Sequence, residues 1–420
     1  MKKILVLLLF AGIGFAAFKY YKKQEVLKEI GPDYVEIYNQ ALVAVESEKY
    51  ADAMQLATQA AEGGYVKAQV LAGDLYYRGK LKNKIEEVQG TVKKKEEKPE
   101  PDYAQALKWY QMAASDTETP DMLAQYKLGY MYRYAKGVDR DYNQAIGWFG
   151  KSSQQGYCPA MFEIGKMYFN GYGVEQNHQK AGQFFEGSSK SGCPSGDYAA
   201  GNMFYKGIGI SQDYSNAMKW YLQGAKRGNI KCHTAVGVMY LNGHGVEKDY
   251  VKAREWFQKA SDSGDGRASY YIGHMYSTGK GVKRNSYTSA KWYLKGALQG
   301  NMLAQYNIAR KYETGNGVTY NAKKAYMWYK KSASQGYVPA QKTMAIAYTS
   351  GESSTQANYQ AYKYYLLITK LGNASEVKYA KTKMAYVKPY LSKKLLNKVN
   401  NEVSYMYNRI LALRGKKITG

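Results

Sequence analysis

The sequence of 420 residues has few cysteines, and this limits the kinds of site it can form. Cys158, Cys193 and Cys232 are too few and too irregularly spaced for a disulfide framework or a zinc site, which both need paired spacings. A single bridge between Cys158 and Cys193, joining neighbouring repeats, is the alternative that the spacing leaves open. Cys232 stands where other repeats have alanine, so we expect a small buried residue there.

Histidine is also scarce, with four residues in the whole chain: His178, His233, His244 and His274. They occupy unrelated phases of the repeat described below, so they do not converge with a nucleophile or an acid on one site. Catalysis by hydrolysis or by a metal needs such convergence. The sequence therefore predicts no catalytic residue, no metal ligand and no cofactor, and a protein that is not an enzyme.

Long apolar runs are absent except at the start of the chain. Lys2 and Lys3 precede uncharged, mostly apolar residues from Ile4 to Phe18, the charge pattern of a bacterial export signal. The run is shorter than the roughly 20 residues that span a bilayer comfortably. We therefore expect residues 1–18 to be a signal peptide cleaved after Ala16 or a short uncleaved anchor, and the protein to be exported to the periplasm or cell envelope, or secreted.

Acidic residues are outnumbered, with 34 Asp and Glu against 60 Lys and Arg, giving a net charge of +26. Residues 373–420 contain eleven Lys or Arg against only Glu376 and Glu402. Such a tail is either a solvated face or a surface for anionic lipid, glycan or an acidic protein. No nucleic-acid recognition motif accompanies the charge, so we expect no nucleic-acid partner.

Proline is scarce, with 8 residues, whereas the chain has 45 Tyr and 42 Gly, a composition that favours a folded chain. Its aromatic residues are periodic. A tryptophan recurs every 36 residues from Trp220 to Trp328, and Trp148 precedes this series by two periods. Phe184 fills the gap and Tyr364 extends the series by one period. The repeats share one continuous core, so length alone does not count domains here.

Each tryptophan is accompanied by residues that begin and end helices. Asp or Asn stands seven residues before it, where the side chain caps a helix N-terminus, and an alanine on the same helix face follows four residues later. Glycine eight residues after the aromatic ends the helix in a left-handed conformation. The caps are Asp102, Asp141, Asn177, Asp213, Asp249, Asn285 and Asn321; the glycines are Gly156, Gly192, Gly228, Gly264, Gly300, Gly336 and Gly372.

A second helix follows in each repeat, and it ends in a paired-glycine loop such as Gly171-Tyr172-Gly173-Val174. A glycine inside this helix, for example Gly165, would let a neighbouring helix approach closely. Together with units such as Ala304 to Ala309 and Ala325 to Tyr329, these motifs resemble Sel1-like repeats, relatives of the tetratricopeptide hairpin. The resemblance implies an all-α, right-handed α-solenoid of about eight hairpins over residues 65–372 that is used for protein contacts.

The ends of the repeat region depart from the pattern. Residues 19–64 contain a tetratricopeptide-type hairpin from Tyr34 to Gly64, expected to be an N-terminal cap, and residues 80–101 form a charged loop insertion. Residues 373–420 are predicted to form basic C-terminal capping helices. Within them Leu396, Val399, Val403, Met406, Ile410 and Leu413 have the spacing of an amphipathic helix.

The resemblance also implies that the helix beginning near Ala160, and its equivalents, line a concave wall that binds a protein or peptide. Tyrosine and arginine often anchor interfaces, although the tyrosines could equally be packing residues of the repeat consensus. The predicted partner-binding residues are Tyr126, Tyr130, Arg133, Phe162, Lys166, Tyr198, Tyr205, Tyr270, His274, Tyr306 and Arg310.

These features predict a non-enzymatic protein-interaction scaffold of the bacterial cell envelope, or a secreted host-directed factor. The alternative is an envelope-associated factor that binds anionic lipid or cell-wall glycan through residues 390–420.

Overall fold

The computed structural model describes residues 32–79, 101–351 and 354–413. These residues form twenty α-helices and one short 3-10 helix, without a strand, and so confirm the predicted all-α solenoid class. Residues 1–18, almost all of the predicted insertion 80–101 and the last seven residues lie outside the described ranges. Among the helices described, none has both the length and the apolarity to cross a membrane.

The chain divides into two compact units, residues 1–193 and 194–420. The first unit contains α1 (Pro32–Glu46), α2 (Tyr50–Glu62), α3 (Val66–Arg78), α4 (Tyr103–Ala114), α5 (Met122–Tyr134), α6 (Tyr142–Gln154), α7 (Cys158–Asn170) and α8 (His178–Lys190).

The second unit continues with α9 (Pro194–Lys206), α10 (Tyr214–Lys226), α11 (Ile230–Asn242), α12 (Tyr250–Asp262), α13 (Gly266–Thr278), α14 (Ser286–Leu298), α15 (Met302–Thr314), α16 (Ala322–Ser334), α17 (Val338–Thr349) and α18 (Thr355–Leu371). It ends with α19 (Ala374–Val387), a 3-10 helix (Lys388–Tyr390) and α20 (Lys393–Leu413).

The predicted aspartate and asparagine caps are confirmed at all their positions. Asn177 Oδ1, for example, accepts a hydrogen bond of 2.8 Å from the backbone N–H of Lys180. The backbone N–H of each cap also donates to a carbonyl of the preceding helix, as Asn177 does to Tyr168 at 2.9 Å. Each cap therefore starts its own helix and closes the hairpin to the helix before it.

The hairpin that contains the charged insertion is closed by the same backbone hydrogen bond. The backbone N–H of Asp102 donates to the Tyr76 carbonyl at 3.0 Å, although residues 79–101 separate α3 from α4. The insertion thus takes the place of a paired-glycine loop within one hairpin. The hairpin itself keeps the geometry of the others.

A buried aromatic ring packs against a helical glycine inside six of the hairpins, and Ala309 and Ala345 replace the glycine in the next two. A Cβ atom added at Gly237 would lie 2.6 Å from the ring of Phe257, which is fully buried. The close approach predicted for these glycines is confirmed, and the ring is what fills the space. The equivalent pairs are Gly73–Tyr110, Gly129–Phe149, Gly165–Phe185, Gly201–Tyr221 and Gly273–Tyr293.

The glycine sites distinguish two aromatic residues that are adjacent in each repeat. The ring that enters the glycine site belongs to the residue after each periodic aromatic. Trp148, Trp220, Trp256 and Trp292 are half-buried, whereas Trp109 and Trp328 are 4% exposed. Adjacent positions on a helix differ by about 100° in direction, so only one of the two aromatics can point at the partner helix.

The glycines after each capped helix have the left-handed backbone predicted for them, with φ between +84° and +94°, except at Gly372. There φ is −79°, because α18 runs for 17 residues and Asn373 immediately caps α19 together with Glu376. The expectation of a left-handed glycine at Gly372 is therefore wrong.

The two ends of the described chain are covered as predicted. Helices α1 and α2 form the N-terminal hairpin, in which the ring of Tyr34 lies against Gly63. Helix α20 packs on α18 through Val399, Val403 and Ile410. Its predicted apolar stripe holds except at its end, where Leu411 is buried and Leu413 remains 65% exposed.

The cysteines depart in part from expectation. Cys158 and Cys193 form a disulfide with their Cα atoms 5.7 Å apart, so the irregular spacing did not exclude a bridge. It joins the first residue of α7 to a residue shortly after the end of α8, and so closes one hairpin. Cys232 is fully buried in α11, as predicted.

Candidate interaction surface

The predicted partner-binding residues all lie on one kind of helix, the first helix of a hairpin whose second helix begins at an Asp or Asn cap. They occupy its fifth, ninth and twelfth residues, which share one side of a helix because they are four and seven residues apart. We call these residues the first-helix face. In the first unit they belong to α5 and α7, and in the second to α9, α13 and α15.

The fifth residues of these helices are packing residues that remain half-exposed. Tyr126 lies 5.6 Å from the Phe149 ring and Tyr306 lies 5.5 Å from the Tyr329 ring, centroid to centroid. Phe162, Tyr198 and Tyr270 make the equivalent contacts. One side of each ring thus supports the aromatic that packs inside the hairpin, and the other side remains accessible to a partner.

Burial sets the protonation of the polar groups on this face. It raises the pKa of Tyr126, with a further contribution from Glu163, and raises that of Tyr270, with a contribution from Tyr271. Their hydroxyls therefore stay protonated and can donate hydrogen bonds at physiological pH. Burial, and then the Lys280 charge, lowers the pKa of His274, so its imidazole is neutral at pH 7.

The ninth residue of α15 supplies an exposed cation. Arg310 lies one turn beyond Tyr306, whose ring contacts that of Tyr337 edge-on at 5.2 Å. In the first unit Tyr126 makes the same 5.2 Å contact with Tyr157. The sequence-based prediction missed Tyr157 and Tyr337, although both directly follow a left-handed glycine, a position that the 36-residue period identifies.

Arg133 does not belong to the accessible part of the first-helix face. Its side chain is 4% exposed and forms a salt bridge with Glu163, whose backbone carbonyl accepts a second hydrogen bond at 3.3 Å. The guanidinium also lies over the rings of Tyr134 and Tyr172, 5.1 and 5.3 Å from their centroids. Arg133 therefore joins α5 to α7 and does not present its charge to a partner.

Two other predicted residues are also engaged within the chain. Lys166 Nζ lies 2.8 Å from Glu163 Oε1, although its side chain is still 32% exposed. Tyr205, the twelfth residue of α9, shares a hydrogen bond of 2.9 Å with His244 Nδ1. The His244 ring in turn stacks on Tyr214, so Tyr205 holds the loop before α12 in place.

Helix α11 interrupts the face within the second unit. Its fifth residue, Thr234, is fully buried and donates to Asp265 Oδ2 at 2.5 Å, and its ninth is Val238. The accessible groups of this unit therefore concentrate on α13 and α15, namely Tyr270, His274, Tyr306 and Arg310.

The described residues show no arrangement suited to metal binding: no group of three or more His, Cys, Asp or Glu side chains could hold an ion. An open cleft of about 420 Å³ lies between α12 and α14, with Ile272 and Tyr276 of α13 among its lining residues. None of the predicted partner-binding residues lines it.

The fold and this face define the class of protein: an α-solenoid of helical hairpins related to the tetratricopeptide type. The sequence pattern of the Sel1 repeat matches residues 97–117, 123–157, 158–193, 194–229, 230–265, 266–301 and 303–337, more than half of the chain. The chain belongs to the Sel1 repeat family. Each complete match begins near a first helix, and the match 158–193 begins and ends at the two bridged cysteines.

The chain is also similar to solved structures. A Sel1 repeat protein from Oxalobacter formigenes is 27% identical, with a TM-score of 0.56 over 80% of this chain and 92% of that one. A protective antigen of uropathogenic Escherichia coli with the same repeat fold is 24% identical, with a TM-score of 0.49 over 94% of this chain and 87% of its own. Comparison with curated proteins found no match.

The family places the chain in a general functional class. Sel1 repeat folds are generally scaffolds for protein–protein interaction, and proteins of this family bind other proteins. They are typically not enzymes.

Proposed function

We propose that this chain is an exported, non-enzymatic scaffold of the bacterial cell envelope, or a secreted host-directed factor, that binds a partner protein along the first-helix face. The observation that carries the proposal is the group of accessible residues on α13 and α15. Half-exposed rings there alternate with the neutral imidazole of His274 and the exposed cation of Arg310.

The chemistry of this group suits an extended peptide or loop. Protonated tyrosine hydroxyls and the guanidinium donate to backbone carbonyls and carboxylates, while the rings supply rigid apolar area. Tyr337 extends the aromatic surface from α15 towards α17 through its contact with Tyr306. A segment with an acidic residue between apolar ones could contact both the hydrogen-bond donors and the aromatic rings.

Two observations support export. The Cys158–Cys193 disulfide is a bond that persists in oxidising compartments and is rare in a reducing cytosol. The charge pattern of residues 1–18 is that of an export leader. A reporter enzyme that is active only after export, fused to residues 1–40, should be active, whereas a cytosolic signal would contradict the envelope or secreted location.

Partner binding is tested with a charge reversal on the face. The full chain is used to recover partners from native envelopes after crosslinking, and their amounts are compared by mass spectrometry between wild type and Arg310→Glu. We expect a loss of about five-fold or more, because loss of a central anchor typically costs an interface over about 1 kcal/mol.

The matched control is Lys330→Glu, the same charge reversal on the second helix of the same matched repeat, where the side chain is also exposed. It should leave recovery unchanged. Recovery that stays at the wild-type level with both variants would contradict binding through the first-helix face. Recovery that falls equally with both would show that binding depends on net charge and not on this face.

A further inference from the structure

The C-terminal helices carry a second surface that the repeats do not share. In α20 the apolar residues face α18, and Lys394, Lys398, Tyr405 and Arg409 lie away from that apolar face and are all exposed. These four residues, the α20 stripe, are separated by four, seven and four positions and so lie along one line of the helix. At 1.5 Å per residue the line is about 22 Å long. The Lys398 ammonium also lies 5.9 Å from the ring centroid of Tyr359 at the edge of α18.

The neighbouring elements extend the same chemistry. Tyr386 at the end of α19 is 68% exposed, with the Lys383 ammonium 5.7 Å from its ring centroid. Tyr390 of the 3-10 helix is 62% exposed, and Lys388 beside it is also exposed. Tyr405 is 70% exposed, so three of the most accessible tyrosines among the described residues lie in this region.

The positive charge of this region is not balanced within it. Residues 373–413 contain eight Lys or Arg and two Glu. Both glutamates have partners in the chain: Glu376 Oε2 accepts from the Asn373 backbone N–H at 2.8 Å, and Glu402 Oε2 lies 3.4 Å from Lys363 Nζ of α18. Glu402 lies on the same line of α20, four residues after Lys398 and three before Tyr405, and its side chain is 38% exposed. Its ion pair with Lys363 offsets its charge, so the α20 stripe still presents an excess of cations around a phenol ring.

We propose that the α20 stripe, with Tyr386 and Tyr390, docks this protein on an anionic lipid bilayer. Lysine and arginine are attracted to lipid phosphates, and amphipathic tyrosine rings favour the headgroup level, so both residue types suit the same layer. The apolar side of α20 stays on α18, which makes this contact peripheral and dependent on ionic strength. The proposal is independent of partner binding on the first-helix face.

The test measures which lysines the membrane covers. The full chain is mixed with vesicles of phosphatidylglycerol and phosphatidylcholine, or of phosphatidylcholine alone, and lysines are acetylated and quantified by mass spectrometry. We expect protection of Lys394 and Lys398 on anionic vesicles only, lost at high salt. Lys248, Lys323 and Lys330, exposed lysines of the repeats in the same unit, should react equally in every sample. Because protection is read residue by residue, insertion of residues 1–18 does not imitate it.

Matched triple variants separate this stripe from bulk charge. Lys394→Gln with Lys398→Gln and Arg409→Gln should weaken binding to anionic vesicles by about a hundred-fold, since each cation near such a surface is worth about five-fold. Lys248→Gln with Lys323→Gln and Lys330→Gln removes the same charge and should leave binding within about two-fold.

Three results would overturn membrane docking by the α20 stripe. Unprotected Lys394 and Lys398, or equal losses in the two triple variants, would overturn the proposal. Protection by peptidoglycan sacculi but not by vesicles would overturn it in favour of a glycan.

Discussion

The salt bridge between Arg133 and Glu163 gives a quantitative test of whether Arg133 is structural. The side chains are 4% and 8% exposed, and the two residues belong to successive first helices, α5 and α7. Glu163→Gln keeps the shape of the side chain and removes its charge. It leaves a buried guanidinium without a carboxylate, a change that typically costs 3–5 kcal/mol.

We expect the lower end of this range, about 3 kcal/mol in the free energy of unfolding. The glutamine oxygen still accepts a hydrogen bond, and Lys166, at 32% exposure, recovers hydration when it loses Glu163. Arg133→Met should cost less, because Lys166 still neutralises the remaining carboxylate. The double variant Arg133→Met with Glu163→Met should approach wild type, since two apolar side chains replace two buried charges.

Urea unfolding followed by circular dichroism measures these differences. Asp262→Asn is the matched control, because its salt bridge with Lys295 spans 2.9 Å between side chains that are 58% and 39% exposed. An exposed pair contributes less than about 1 kcal/mol. If Glu163→Gln were as mild as Asp262→Asn, the ion pair would not hold Arg133, and its guanidinium would count again among the groups available to a partner.

Three further changes test the fold. Cys193→Ser opens a loop with a sequence separation of 35 and should lower the free energy of unfolding by about 4 kcal/mol in urea, an effect that reductant reproduces on wild type only. Gly237→Ala should cost about 1 kcal/mol, because the clash with Phe257 exceeds the gain in helix propensity, and less in a Phe257→Leu background. Because the pKa of His274 is lowered in the folded state, stability should fall as pH drops below about 6.5, and less so in His274→Gln.

The features that the sequence predicted well depend on residues close together in the chain. Asn285 caps α14 through the backbone N–H of Thr288, three residues on, and Gly264 needs only its own backbone conformation. Such features repeat with the period and have a reason inside one helical turn. They could therefore be assigned before the packing of the helices was known.

Periodicity alone could not choose between adjacent aromatic residues. Trp256 and Phe257 belong to positions that recur with the same spacing, and the tryptophans are simply easier to notice. The glycine at position 237 decides between them, since only Phe257 points into the space that a missing Cβ leaves. The two residues differ by about 100° in direction around the helix, so the period alone does not identify the ring that packs inside the hairpin.

Arg133 was misplaced for a different reason. Its partner Glu163 is 30 residues away, and no other repeat pairs arginine with glutamate at these positions. A contact that occurs once leaves no periodic pattern, so the resemblance to the family could not reveal it. The Cys158–Cys193 bridge is a second contact of this kind.

The difference between features that recur from repeat to repeat and features that occur once also indicates which residues could determine partner specificity. Residues that repeat, such as the glycine and aromatic pairs, are used to hold each hairpin together and are not free to vary. On the first-helix face the ninth residue changes from Val238 in α11 to His274 in α13 and Arg310 in α15 while the hairpins stay alike. Because these side chains are not needed for the fold, their differences are available for specificity, which is why the proposed contact centres on α13 and α15.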